Sequence, residues 1–305
     1  MTDWMPPARV LRRSEALAAD VTDGELARTV RRGELVRVRR GAYLDPTAGL
    51  SRHRALVLAT APALRDGSVV SHGSAAVLHG LPLWRVDGAR VHVTRRPPAA
   101  GSGSARVHLH VARLPDSDVT LVDGVPATTM ARTVVDLARS ASFESAVVAA
   151  DAALATGSLS REDLTGCLER MGAVPGSRRA ARVTAFADAH SESVGESRSR
   201  VLLHRLGIPA PDLQVRLLRP DRSVIGRCDF GWRARRTVGE FDGRVKYRAD
   251  EGRDPGDVVF REKLREDEIR DAGWEVARWT WADLDTPSVI ERRIRGAFTR
   301  AGRLL

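Results

Sequence analysis

Apolar positions recur along this chain at helical and strand periods that divide it into recognisable elements. From Thr22 to Gly33, TDGELARTVRRG sets Leu26 and Val30 on one face, between a capping threonine with an acidic first turn and a basic last turn closed by Gly33. That pattern predicts a helix. ELVRVRRGAYLDP then alternates through Leu35, Val36 and Val38 to Tyr43, predicting a hairpin that turns near Arg39–Gly41. HRALVLATAPAL and GSAAVLHGLPLW read as helices, the second ended by Gly80, and ARVHVTRRP and ARVHLHVARL alternate as strands around PPAAGSGSA. SASFESAVVAADAAL and REDLTGCLERM predict two further helices, and SESVGESRSRVLLHRLG another, capped by Ser191 or Ser193, apolar at Val201, Leu202 and Leu206, and stopped by Gly207.

One stretch departs from ordinary strand patterning. RCDFGWRARRTVGEFDGRVKY, from Arg227, reads as two strands, yet Asp229, Glu240 and Asp242 stand where apolar side chains are expected. With Arg233–Arg236 as the turn, Trp232 faces Thr237, Gly231 faces Val238, and Asp229 lies opposite Glu240. Alternation then puts all three acids on one face, and Cys228, Phe230, Trp232 and Phe241 on the other. Like charges about 4.5–5.5 Å apart at Cβ destabilise a sheet unless a cation sits among them or one acid keeps its proton. A divalent ion held by Asp229, Glu240 and Asp242, magnesium with manganese as the alternative, would supply that charge. Glu196 reads equally as a fourth acid over the sheet or as the cap partner of Ser193, with a favourable pair to Arg200. Downstream, FREKLREDEIRDAG predicts a helix, WEVARWT a strand and the remainder another helix, which together imply a mixed sheet and an α/β fold.

Composition adjusts this picture. A chain of 305 residues suits two or three modules, and the pattern places them at 1–48, 49–190 and 191–305. A net charge of +10 favours a polyanionic partner. Lys246 and Lys263 are the only lysines, however, so part of that charge reflects a general arginine bias. More specific is the crowding of Arg28, Arg31, Arg32, Arg37, Arg39 and Arg40 onto one predicted helix and its hairpin. DNA contact by a helix with a basic wing needs that distribution, although a solvated basic face would also show it. Cys167 and Cys228 have no metal or disulfide spacing. Among His72, His79, His92, His108 and His110, the pair His108 and His110 shares a strand face and could ligate a metal, but no acid or third histidine stands at an obvious companion spacing, so they read as structural or surface groups. No signal peptide or apolar run long enough to span a membrane is present, which implies a cytoplasmic protein of unspecified oligomeric state.

Two resemblances follow from these motifs. RRGELVRVRRGAYLDP, SHGSAAVLHGLPLW and VDGVPATTMARTVVDLA make the first half similar to AbiEi-type antitoxins of type IV toxin–antitoxin systems. That resemblance implies a winged helix-turn-helix that binds its own operator DNA, an α+β middle domain, and a nucleotidyltransferase-type toxin as partner. The ESRSR helix, the CDF and EFDG strands and the GWEVARWTW finish resemble the PD-(D/E)XK nuclease superfamily, in the branch of very-short-patch-repair endonucleases. It implies a restriction-endonuclease-like domain with Asp229, Glu240 and Glu196 as catalytic acids. Asp242 stands where that motif has lysine, leaving Lys246 as the substitute catalytic cation. Two functions are therefore expected: magnesium-dependent endonuclease action on DNA, or a non-enzymatic DNA-binding regulator of antitoxin type with a degenerate nuclease domain.

Overall fold

The computed structural model describes residues 10–99, 103–243 and 255–303, with side chains in the last stretch from Phe260 onward. The chain is a mixed α/β protein that divides into two units rather than the three modules expected. Residues 1–149 and 159–185 form the first, and 150–158 and 186–305 the second.

Unit 1 begins with β1 (Leu11–Arg12), α1 (Arg13–Ala18), α2 (Asp23–Arg31), β2 (Val36–Arg39) and β3 (Ala42–Leu44). The Thr22 hydroxyl accepts the Glu25 N–H while the Glu25 carboxylate accepts the Thr22 N–H, a reciprocal cap that starts α2 where the sequence places it. Leu26 and Leu35 are fully buried with Leu11 and Ala16, and Val30 and Tyr43 pack against them. The strand order is β1-β3-β2, and Gly41 supplies the positive φ of 75° at the hairpin turn. Val36 is exposed, because alternation from the buried Leu35 puts it on the opposite face, and the ladder shifts register further on, between Arg37 and Arg39.

The rest of unit 1 comprises α3 (Arg52–Thr60), β4 (Val69–Val70), α4 (His72–Leu78), β5 (Val91–Arg95), β6 (Val107–Val111), β7 (Val119–Val122), β8 (Val125–Thr128), α5 (Met130–Ser140), the first part of α6 (Phe143–Ala155, which passes into the second unit at residue 150), α7 (Arg161–Met171) and α8 (Ser177–Phe186) up to residue 185. The five strands run β6-β5-β4-β8-β7, with β5–β6 and β4–β8 parallel. Val57, Val70, Ala75, Leu78, Val91 and Val93 form the core between this sheet and its helices. α7 has the bounds predicted by REDLTGCLERM, while β4, β7 and β8 are too short, at two to four residues, to show a period.

Unit 2 contains α9 (Val194–Arg205), β9 (Asp212–Leu218), β10 (Val224–Trp232), β11 (Thr237–Asp242), α10 (Pro255–Asp271), β12 (Glu275–Thr280), α11 (Trp281–Leu284) and α12 (Pro287–Ala301). The sheet order is β12-β11-β10-β9, antiparallel except for β11–β12. The alternation of Leu213, Val215 and Leu217 is a legible signal for β9, which the predicted elements lacked. One face packs Phe230, Trp232, Phe241 and Trp279 with Leu203, Ile290 and Ile294. The other packs Val215, Leu217, Cys228, Val238 and Val276 with Ile269 of α10.

α9 lies so close to this sheet that a Cβ on Gly195 would fall 1.9 Å from the Phe241 ring. Gly195→Ala is therefore expected to destabilise unit 2 by about 2 kcal/mol through overpacking, measurable as a lower urea midpoint. An unchanged midpoint would contradict this close approach.

Candidate functional site

The hairpin that carries the acids has the register that its turn predicts. Gly231 pairs with Val238 and Trp232 with Thr237, across a turn in which Arg236 is left-handed at φ 40°. The side-chain faces differ from expectation. Phe230, Trp232 and Phe241 share one layer, but Cys228 belongs to the opposite one with Val238. The neighbouring strand divides in the same way, since Leu213 packs with the first layer and Val215 lies in the second. Between them Gln214 has φ 51°, a left-handed conformation that rotates a strand and breaks its period of two. Cys228 thus lies beside Glu240, and burial, then that carboxylate, pushes its thiol pKa up to about 12.

The positive charge beside Glu240 comes from two arginines. Arg265 of α10 donates to Glu240 Oε1 at 2.6 Å, and Arg278 of β12 lies 3.0 Å from Oε2. Both arginines also engage Glu262, and Arg278 reaches Glu266 at 3.2 Å. Each Glu240 oxygen is thereby occupied.

Asp229 turns one oxygen toward the hairpin backbone, where Oδ2 accepts the Phe241 N–H at 2.8 Å. Asp242 is half-buried at the end of β11. Glu196 is the cap partner: its carboxylate accepts from the Glu192 N–H, the Ser193 hydroxyl and the Gln214 amide. The expected Glu196–Arg200 pair is replaced, because Arg200 donates to Asp151 at 2.6 Å and to the Phe186 carbonyl. Lys246 lies outside the described residues.

These arrangements do not fit a magnesium ion. A hard divalent cation needs several carboxylate or carbonyl oxygens turned toward one point. Here Glu240 faces two guanidinium groups, and Glu196 is filled by three donors. Among the described residues, Asp229, Glu240 and Asp242 are not brought together as a metal-binding group.

The N-terminal arginines are largely presented to solvent. Arg28, Arg31, Arg32, Arg37 and Arg40 are exposed on α2 and the β2–β3 hairpin. Arg28 stands 3.9 Å from Glu25, and Arg32 4.0 Å from Glu34, separations that leave both guanidinium groups largely hydrated. Arg39 differs: it is half-buried and donates to the Ala59 carbonyl. Five of the six predicted arginines are therefore exposed.

Two groupings in unit 1 escape the sequence reading. Arg132, 1% exposed, sits between Asp118 and Asp136 at 2.9 Å from each, and Arg139 adds a 3.0 Å contact to Asp136. The second brings together four histidines, of which the sequence set only His108 and His110 on a common face. His72, His92 and His110 have nitrogens within 4.8 Å of one another, and His108 stacks on His92. Strand pairing supplies the missing companion, since β5 and β6 run parallel with His92 beside His108 and Thr94 beside His110.

Comparison with known proteins bears on this first unit. Residues 68–183 match the family model of the AbiEi antitoxin C-terminal domain. The chain is also similar to uncharacterized proteins from two strains of Mycobacterium tuberculosis, at 29% identity over 228 residues, 73% of this chain and 79% of each relative. The crystal structure of the RV2827C protein from the same species is similar with a TM-score of 0.37 and 15% identity, over 70% of this chain and 85% of that one. No helix among the described residues is long and apolar enough to cross a membrane.

Proposed function

We propose that this chain is a DNA-binding regulator of antitoxin type, with α1, α2 and the β2–β3 hairpin acting as a winged helix-turn-helix. The observation that carries this reading is the shared exposure of Arg28, Arg31, Arg32, Arg37 and Arg40 on helix and hairpin. The family match at 68–183 supports the antitoxin half of the reading. A basic helix entering the major groove beside a phosphate-binding wing uses both surfaces at once. By the same resemblance, a nucleotidyltransferase-type toxin is the protein partner, and co-purification with the product of an adjacent gene tests it.

DNA binding is tested by anisotropy titrations on the chain's own promoter fragment at several salt concentrations. Five phosphate contacts give a slope of about −4.5 in log K against log salt. Arg31→Glu with Arg40→Glu is expected to weaken binding at least about tenfold and to flatten that slope by about 2. A flat salt response in the unmodified protein overturns the reading.

A second reading, magnesium-dependent phosphodiester hydrolysis by unit 2, has one observation in its favour. Its helix, three antiparallel strands, helix and parallel strand follow the order expected of a restriction-endonuclease-like domain, with Asp229 and Glu240 on adjacent strands. The ion pairs at Glu240 favour a nuclease-like scaffold without turnover. Cleavage of plasmid DNA that disappears in Asp229→Ala would reverse that preference.

A further inference from the structure

Burial and strand register in unit 1 place four imidazoles on one side of β5 and β6, with no carboxylate hydrogen-bonded to any of the four among the described residues. His92 Nδ1 and His110 Nε2 face each other at 3.0 Å. Two neutral imidazole nitrogens at that distance share either one proton or one cation. The ring of His72 lies against His110, with centroids 3.7 Å apart.

The backbone fixes these rings from both sides. The Ser71 N–H donates to the His92 carbonyl at 2.9 Å, and the His92 N–H donates to the Ser74 hydroxyl at 2.8 Å. Between those two bonds His72, 7% exposed, occupies the left-handed region at φ 53°, a conformation uncommon for a residue with a side chain. The Ser71 hydroxyl lies 3.0 Å from His72 Nδ1, so it can accept that N–H and leave Nε2 with a free lone pair. A second relay supports Ser74: His53 Nδ1 donates to the Gly88 carbonyl, so its Nε2 accepts from the Ser74 hydroxyl at 3.0 Å.

Burial, then the neighbouring imidazolium and guanidinium charges, lowers the pKa of His72 to about 3, of His92 to about 4 and of His110 to about 3. Imidazole ligates metals in its neutral form.

We propose that His72, His92 and His110 form a transition-metal site, with zinc as the metal it takes and His108 beside it. Three neutral imidazoles without carboxylate oxygens select zinc, copper or nickel over magnesium and calcium. Zinc–nitrogen bonds of about 2.0–2.1 Å in a tetrahedron set nitrogens about 3.3 Å apart. The His92–His110 separation is already close to that value, and the set closes from 4.8 Å by rotation of the His72 ring out of its stack. All the ligands lie within the antitoxin-like segment, and the metal would tie the start of α4 to β5 and β6. This inference is independent of DNA binding by α2.

The test uses tag-free, chelator-treated full-length protein titrated with zinc chloride by calorimetry, and with cobalt(II) followed by visible absorption. One equivalent is expected to bind, with an intense cobalt band that zinc displaces. Saturating zinc should raise the melting temperature by about 5 °C. His92→Ala and His110→Ala are each expected to weaken binding by about 100-fold, whereas His204→Ala, at an exposed position on α9, should leave it unchanged. Retention of one-equivalent binding by a folded His72→Ala, His92→Ala, His110→Ala triple variant overturns the proposal. Where the variants fold poorly the unmodified protein decides, because absence of the cobalt band and of saturable zinc binding in it also overturns the site.

Discussion

Arg132→Ala is expected to lower the stability of unit 1 by about 3–5 kcal/mol, the loss typical when one member of a buried ion group is removed. The guanidinium is the common partner of Asp118 and Asp136, whose side chains are both 2% exposed. It also donates to the Arg113 carbonyl at 3.2 Å, so one side chain joins the turn before β7 to the body of α5. Without it, Asp136 keeps Arg139 at 3.0 Å, and Asp118 keeps Arg170 at 3.4 Å. Those two arginines are more exposed and neither bridges both acids. Since domains have only about 5–15 kcal/mol in total, the variant should approach unfolding at ordinary temperature. Far-ultraviolet circular dichroism against urea measures this directly. A companion variant, Arg132→Met with Asp118→Leu and Asp136→Leu, should recover much of the loss, because apolar replacement of a whole buried ion group is often neutral or stabilising. A single-variant loss below about 1 kcal/mol would show that water, not Arg132, satisfies these carboxylates.

The histidine site and the Arg132 group show where sequence reasoning stops. Arg132 and Asp136 are four residues apart on a helix, a spacing that ordinarily describes a solvent-exposed pair. Nothing local reveals that Asp118 closes over them. His92 and His108 are neighbours only because β5 and β6 pair in parallel across a loop, and His72 joins them through a left-handed residue at the start of α4. Local chemistry was legible wherever it determined the structure: the Thr22 and Ser193 caps, the bounds of α7, and the Arg233–Arg236 turn that fixes the hairpin register. The same hairpin shows the limit of extrapolating a period. Strict alternation placed Cys228 with Phe230, whereas Cys228 packs with Val215 and Val238 on the opposite face, at the level of the left-handed Gln214 on the adjacent strand.

α9 illustrates another limit. Glu196, Ser197, Arg198 and Ser199 are all buried although their side chains are polar. Their polar atoms are satisfied individually: the Ser199 hydroxyl accepts from the Trp279 indole and donates to the Gly195 carbonyl, while Arg198 meets Asp285 and lies over the Trp281 ring. A buried polar helix is stable when each group finds a partner; for Arg198 and Ser199 those partners include Trp279, Trp281 and Asp285, remote in sequence.

The acidic hairpin gives the second large effect, and its sign separates arginine from metal as the counter-charge. Arg265→Ala is expected to destabilise unit 2 by about 3 kcal/mol, because it leaves Glu240, whose side chain is 12% exposed, with Arg278 alone while Glu262 and Glu266 remain nearby. Glu240→Ala should cost less, since Arg265 and Arg278 keep Glu262 and Arg278 keeps Glu266. In a metal site the order of consequences reverses: the carboxylate would be the essential group, and a nearby guanidinium would oppose the ion. Thermal unfolding with and without millimolar magnesium, at matched ionic strength, distinguishes the two. The unmodified protein should show no magnesium-dependent shift, whereas Arg265→Ala, with its excess carboxylates, should recover part of its loss when magnesium is added. A magnesium-dependent rise in the unmodified protein that vanishes in Asp229→Asn would mean that the arginines yield Glu240 to an ion, and the regulator without turnover would give way to a nuclease.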